Sequence, residues 1–192
     1  MHEVASGEGE KIGTDATNDF GWRDITGPIE LRGTGANDPS FAVVSGSIFR
    51  AYQFAVADEI WIVFHVPHDY VPGSDVHFHA HWMADGTNAQ PVKWEWSYVY
   101  ADGYGSGNFA VASPTTITAE EAASGTAHDH MITETAAASG TGIEVDGLLY
   151  VRVRRITNGG TENTDAIFML TTDVHYQSTN LPTKNKNPDF YT

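Results

Sequence analysis

Three histidines alternate in the stretch Asp75-Val-His-Phe-His-Ala-His-Trp-Met83, at positions His77, His79 and His81. An extended chain sends successive side chains to opposite faces. The three imidazoles therefore share one side of a strand, about 6.5–7 Å apart, and Val76, Phe78, Ala80 and Trp82 take the other. Imidazole is the commonest transition-metal ligand and the one side chain that titrates near neutrality. His65, His68, His128, His130 and His175 lie on or near other expected strands and are able to join the row. Two chemistries follow: a zinc, iron or nickel site, or a polar sheet face or subunit seam whose imidazoles bond to backbone and carboxylates. The second is the expectation, so no metal and no cofactor is assigned. His77, His79 and His81 are the candidate ligands if the first holds.

A His-x-His pair on a jelly-roll strand, preceded by glycine as Gly73 precedes it here, is also a pattern of the cupins. Cupins place a Glu three or four residues beyond the second histidine, whereas no Glu follows His81 before Glu95. A cupin-like metal-dependent enzyme is therefore the remotest alternative. No Gly-x-Ser-x-Gly elbow or phosphate loop is present. Asp129 between two histidines, or Glu144 near Asp146, are pairings that a carboxylate-rich chain produces by chance. No residue is assigned a catalytic role, and the chain is expected not to be an enzyme.

Trp94, Trp96 and Tyr98 alternate with Lys93, Glu95 and Ser97. With Trp82 they form either a carbohydrate-stacking platform or, as expected, one side of a core. Arg152 and Arg154 share a face opposite Val151 and Val153, with Arg155 next in line. The two outward arginines suit salt bridges, to a neighbouring subunit or within the chain.

Twenty-five acidic against ten basic side chains give a formal charge of −15 over 192 residues. Such a surface repels phosphate backbones, so no nucleic-acid partner is expected. No apolar run approaches the roughly 20 residues of a membrane span, and the N-terminus lacks a basic start and an apolar stretch. Without cysteine there are no disulfides, thiolate zinc sites or thiol nucleophiles.

The elements that must position these residues are β-strands. Residues 1–40 are polar with scattered apolar residues and read as an extended arm or strap, with Trp22 and Ile25 as anchors. A domain over 41–176 carries strand signals at 41–48, 49–56, 60–66 (apolar on both faces, as in a central strand), 75–83, 92–100, 127–135, 148–156 and 166–176. One short helix is expected over 119–124, from a capping box of Thr118 and Glu121 and a terminal Gly125. Residues 177–192 read as an extended tail, with Lys184 and Lys186 as its basic residues. The fold expected is an all-β sandwich, a jelly roll before an immunoglobulin-like one.

Three stretches, His65-Val-Pro-His-Asp-Tyr-Val-Pro-Gly-Ser-Asp-Val-His-Phe-His-Ala-His-Trp82, Glu144-Val-Asp-Gly-Leu-Leu-Tyr-Val-Arg-Val-Arg154 and Asp173-Val-His-Tyr-Gln-Ser onward through Thr183-Lys-Asn-Lys-Asn, resemble a family of virion structural proteins of tailed bacteriophages. The resemblance covers most of residues 41–192. It implies a jelly-roll capsid decoration or cement protein, assembled as a homotrimer, with the major capsid protein as partner and the capsid exterior as its location after synthesis in the host cytoplasm. Under it, Trp22, Ile25, His77, His79, His81, Arg152 and Arg154 are candidates for subunit or capsid contacts. The alternative is a tail or fibre component that binds a receptor or glycan, for which exposed Trp94, Trp96 and Tyr104 would be needed.

Overall fold

Alternation of apolar and polar side chains governs the structure, a computed structural model that describes residues 21–31 and 37–181. Ten strands follow in order: β1 (Gly21–Thr26), β2 (Ser40–Val43), β3 (Arg50–Phe54), β4 (Glu59–His65), β5 (His77–Ala84), β6 (Pro91–Ala101), β7 (Thr115–Ala122), β8 (Met131–Glu134), β9 (Leu148–Ile156) and β10 (Ile167–Ser178). The remainder of the N-terminal arm, with Val4, Ile12 and Phe20, and the tail with Lys184 and Lys186 lie outside the described residues.

The strands make a β-sandwich of two antiparallel sheets. One has the order β2-β3-β10-β5-β8, with β1 paired to the second half of β10; the other has the order β4-β9-β6-β7. The pairings β3·β10, β4·β9, β5·β8 and β6·β7 are nested like the rungs of one long hairpin. Rolling that hairpin brings β10 against β5 and β9 against β6.

Inward residues of the two sheets meet in one core. Phe78, Ala80 and Trp82 of β5 face Trp94 and Trp96 of β6, with Ile60, Ile62, Leu149, Val151 and Val153 around them. Phe78 lies parallel to Trp96 at 6.4 Å, and Phe54 meets Trp94 edge-on at 5.2 Å. The indole of Trp82 donates to Thr133 Oγ1 at 2.9 Å, so its one polar atom is satisfied inside. The tryptophans are core residues and form no stacking platform.

Three expectations change. No helix occurs among the described residues: 119–124 falls mostly within β7, whose Thr115–Ala122 pairs residue by residue with β6. Six residues are too few to sustain a helix alone. Here the edge of an 11-residue strand offers a full ladder of hydrogen bonds, and Ile117 and Ala119 pack on the core. Gly125 keeps a positive φ of 78°, in a turn. The strand expected over 127–135 shortens to Met131–Glu134, since His128 takes a left-handed φ of 67°. Strand β4 sits at the end of its sheet and not in the middle. Its half-buried Trp61 is met instead by the N-terminal strap, where Glu30 and Trp61 exchange backbone hydrogen bonds of 2.8 and 2.9 Å.

That strap closes one side of the sandwich. Its first part, β1, belongs to the six-stranded sheet, and four residues later Glu30 bridges to the other sheet. Gly27 makes the crossing at close range: a Cβ there would stand 2.5 Å from Ile62 Cγ2 and 2.8 Å from the Val63 carbonyl oxygen. Among the described residues the sandwich therefore spans Gly21 to Ser178.

Candidate functional site

Register builds a cluster on the outer face of the six-stranded sheet. Asp173 of β10 is opposite His79 of β5, which is in turn opposite Glu134 of β8; His175 is opposite His77 on one side and Asp24 of β1 on the other. Because β5 and β10 both alternate, Phe78, Ala80 and Val174 point into the core while these polar side chains point away from it.

His79 is the centre. Its Nε2 is 2.5 Å from Glu134 Oε2, its Nδ1 is 3.3 Å from Asp173 Oδ1, and its ring centroid lies 3.7 Å from that of His175. His81 places Nε2 at 3.0 Å from Asp173 Oδ2 and Nδ1 at 2.9 Å from His130 Nε2. His175 pairs through Nε2 with Asp24 and lies 3.7 Å from Glu134 through Nδ1. His77 bonds through Nδ1 to the Thr135 carbonyl at 3.0 Å, and Trp22 stands edge-on against its ring.

Covered by these neighbours, His79 keeps 3% of its surface and Asp173 keeps 5%, although both sit on the outside of the sheet. Burial raises the Asp173 carboxyl above its usual range, against the lowering pull of His81 and His79. Burial likewise lowers the His175 imidazole, with His79 adding to the effect and Asp24 opposing it. Within this cluster two buried atoms have no hydrogen-bond partner, His79 Nδ1 and Asp173 Oδ1. They are near enough to interact but not aligned for a hydrogen bond.

A second carboxylate, Asp146, holds a left-handed φ of 66° before β9 and receives His65 at 2.8 Å, with His68 at 3.7 Å. The Tyr104 hydroxyl, more than the two histidines, keeps Asp146 below the usual carboxylate range.

The anticipated row of three histidines thus divides. His79 and His81 converge on Asp173, while His77 turns to backbone and to Trp22. Trp22 is half-exposed, and Ile25 packs against the core. Arg152 bonds within the chain, to Glu95 at 2.7 Å, Ser97 at 3.1 Å and Glu59 at 3.6 Å. Arg154 lies on the same outer face, opposite Glu59 and Glu95 in register. Arg155 turns inward and binds the carbonyls of Phe54 and Asn163 at 2.7 and 2.9 Å. Sequence reasoning missed Asp173, Glu134 and Asp24. The i, i+2 spacing of Asp173 and His175 repeats that of the histidine row and was the available signal, but nothing local pairs it with β5.

No known family profile matches the chain, and no curated protein is similar to it. Among solved structures, the crystal structure of dimeric latent PorU from Porphyromonas gingivalis aligns with 82% of this chain at 10% identity and a TM-score of 0.35. The chain spans 13% of that protein's length.

Proposed function

We propose that the chain is a structural protein of a tailed-phage particle, a decoration protein that binds the major capsid protein on the outside of the shell and assembles as a homotrimer. The observation that carries this reading is the β2–β3 hairpin. It forms an end of the six-stranded sheet, and its tip exposes Ile48 at 91% and Phe49 at 72% of their surfaces, with Phe41 and Val43 exposed behind them. An apolar tip on a sheet edge is unfavourable in water and suits insertion against another protein. The resemblance of residues 65–82, 144–154 and 173 onward to phage virion proteins names the class of partner. The nested strand pairing is also what a jelly roll requires. A net charge of −15 suits the face of a shell turned away from DNA.

The test is co-sedimentation with undecorated capsids, with the oligomeric mass measured in parallel. Saturable binding of a trimer, lost in an Ile48→Ser/Phe49→Ser variant of unchanged Tm, supports the reading. A monomer that leaves capsids untouched, or a double variant that binds as well as the parent, removes it. Any truncation should stop at residue 20, because deleting residues 1–40 also removes β1 from its sheet.

A further inference from the structure

We propose that His79 Nδ1, His81 Nε2 and the Asp173 carboxylate bind one divalent cation of the zinc class (Zn²⁺, Co²⁺ or Ni²⁺) on the outer face of the six-stranded sheet. The ligand atoms of these three residues lie within 4.8 Å of one another. His79 Nδ1 is 3.3 Å from Asp173 Oδ1, and His81 Nε2 is 3.0 Å from the other oxygen, Oδ2. Bonds of about 2.0–2.2 Å to a four- or six-coordinate ion put neighbouring ligands roughly 3.0–3.5 Å apart. The two histidine–carboxylate separations fall in that range, and the full set of ligand atoms, within 4.8 Å, closes on an ion with a small rotation of the side chains.

Hydrogen bonding on the far sides of the rings sets the donors. At 2.5 Å from Glu134, His79 Nε2 carries the proton and donates it to the carboxylate. A neutral ring then presents a bare lone pair at Nδ1 to an Asp173 oxygen that also lacks a donor. Two acceptors 3.3 Å apart in a buried place repel unless a cation lies between them. A second proton on His79 would point Nδ1–H at Asp173, but that pair lacks hydrogen-bond alignment; a metal ion off the line between the two atoms needs none. His81 differs in that its Nε2 is hydrogen-bonded to Asp173 Oδ2 at 3.0 Å, a contact that an ion would replace, while its Nδ1 is held by His130 at 2.9 Å. Histidine ligands are commonly oriented in this way, the outer nitrogen held by a carboxylate or other acceptor while the inner one binds metal. Among the described residues, no lysine or arginine is within ion-pair distance of Asp173 or Glu134. Two imidazoles and one carboxylate favour a zinc-class ion over calcium or magnesium.

The test uses the tag-free full chain stripped with a chelator, then titrated separately with Zn²⁺ and Co²⁺. The expected result is one ion per chain with a Kd in the micromolar range or tighter, ligand-field absorption with Co²⁺, and a Tm raised by several degrees. Nitrogen-detected imidazole spectra should report metal at Nδ1 of His79 and Nε2 of His81. His81→Gln and Asp173→Asn should abolish uptake, and Glu134→Gln should weaken it about 10–100-fold. No uptake at tenth-millimolar metal overturns the proposal, as does uptake that survives both His81→Gln and Asp173→Asn. Uptake lost in His175→Gln but kept in His81→Gln also overturns it, by moving the ion to the other side of His79. Because the wild-type titration is the primary readout, a variant that fails to fold does not shield the idea. Capsid binding is measured separately and can fail or succeed independently.

Discussion

On the outer face of the four-stranded sheet, Arg152 of β9 reaches Glu59 on β4 and Glu95 on β6. On the outer face of the six-stranded sheet, Asp173 of β10 sits against His79 and His81 of β5, and Glu134 of β8 holds His79 from the other side. Both are rows of ionisable side chains set side by side by antiparallel register. They differ in the cation. A guanidinium is charged at every accessible pH and its fork fits carboxylates, so the arginine row is electrically complete once folded. Imidazole is mostly neutral at pH 7, and the histidine row therefore gathers carboxylates without a fixed counter-charge. A complete row reads as structure; an incomplete, buried one is where a ligand belongs.

The strongest way to break this comparison is to remove a fixed cation. Arg155→Ala leaves the Phe54 and Asn163 carbonyls without their donor, beside Asp58. It should lower stability by about 3 kcal/mol or more in urea unfolding. A midpoint equal to the parent's would show that this buried cation is dispensable. Arg152→Ala, on the more open outer face, should cost about 1–2 kcal/mol by the same measurement, with or without zinc. The histidine row should behave in the opposite sense: in chelated protein His81→Gln should change stability by less than about 1 kcal/mol, yet it should erase the stabilisation that zinc gives the parent. If zinc stabilises the variant as much as the parent, the distinction between the rows fails.

High pH provides a limb that both rows leave untouched. Burial pushes the Tyr70 and Tyr176 hydroxyls up to about 12 from an ordinary 10.0, against the hydrogen bond to Ser74 at Tyr70 and with the help of Asp69 at Tyr176. The unfolded chain then ionises first. The stability these phenols contribute is fully present below pH 10 and is lost as pH rises through about 12. The last part of the phenolate absorbance of the eight tyrosines should appear together with unfolding in that window; titration of all eight near 10 in the folded protein would contradict it. The smallest effect should come from Lys93→Ala, which removes an exposed 3.9 Å contact with Glu120 and should cost less than about 0.5 kcal/mol.

Much of this arrangement is legible in the residues. β9 occupies 148–156 as its alternation indicates, and that alternation also puts Arg155 on the buried side with Val151 and Val153. Trp94 and Trp96 are core for the same reason. The signals that mislead are local ones answered by distant partners. Thr118 and Glu121 spell a capping box, but the neighbour that decides their conformation is β6. Glu134 carries no mark in the sequence and Asp173 only its spacing from His175, because they meet His79 through pairings across 55 and 94 residues of chain. Trp22 is visible as an anchor, whereas the crossing of its strap at Gly27 rests on a close approach to β4 that no spacing announces.

The position of β10 has a consequence for how the protein is made. It is the last strand in sequence among those described, yet β1, β3 and β5 all hydrogen-bond to it. While a ribosome adds residues at about 5–20 per second, the strands that will flank β10 emerge first and must wait, edges open, until residue 178 appears. The six-stranded sheet therefore forms only after residue 178 has been made. The nascent chain is most prone to pair with a stranger in the seconds before its own central strand arrives.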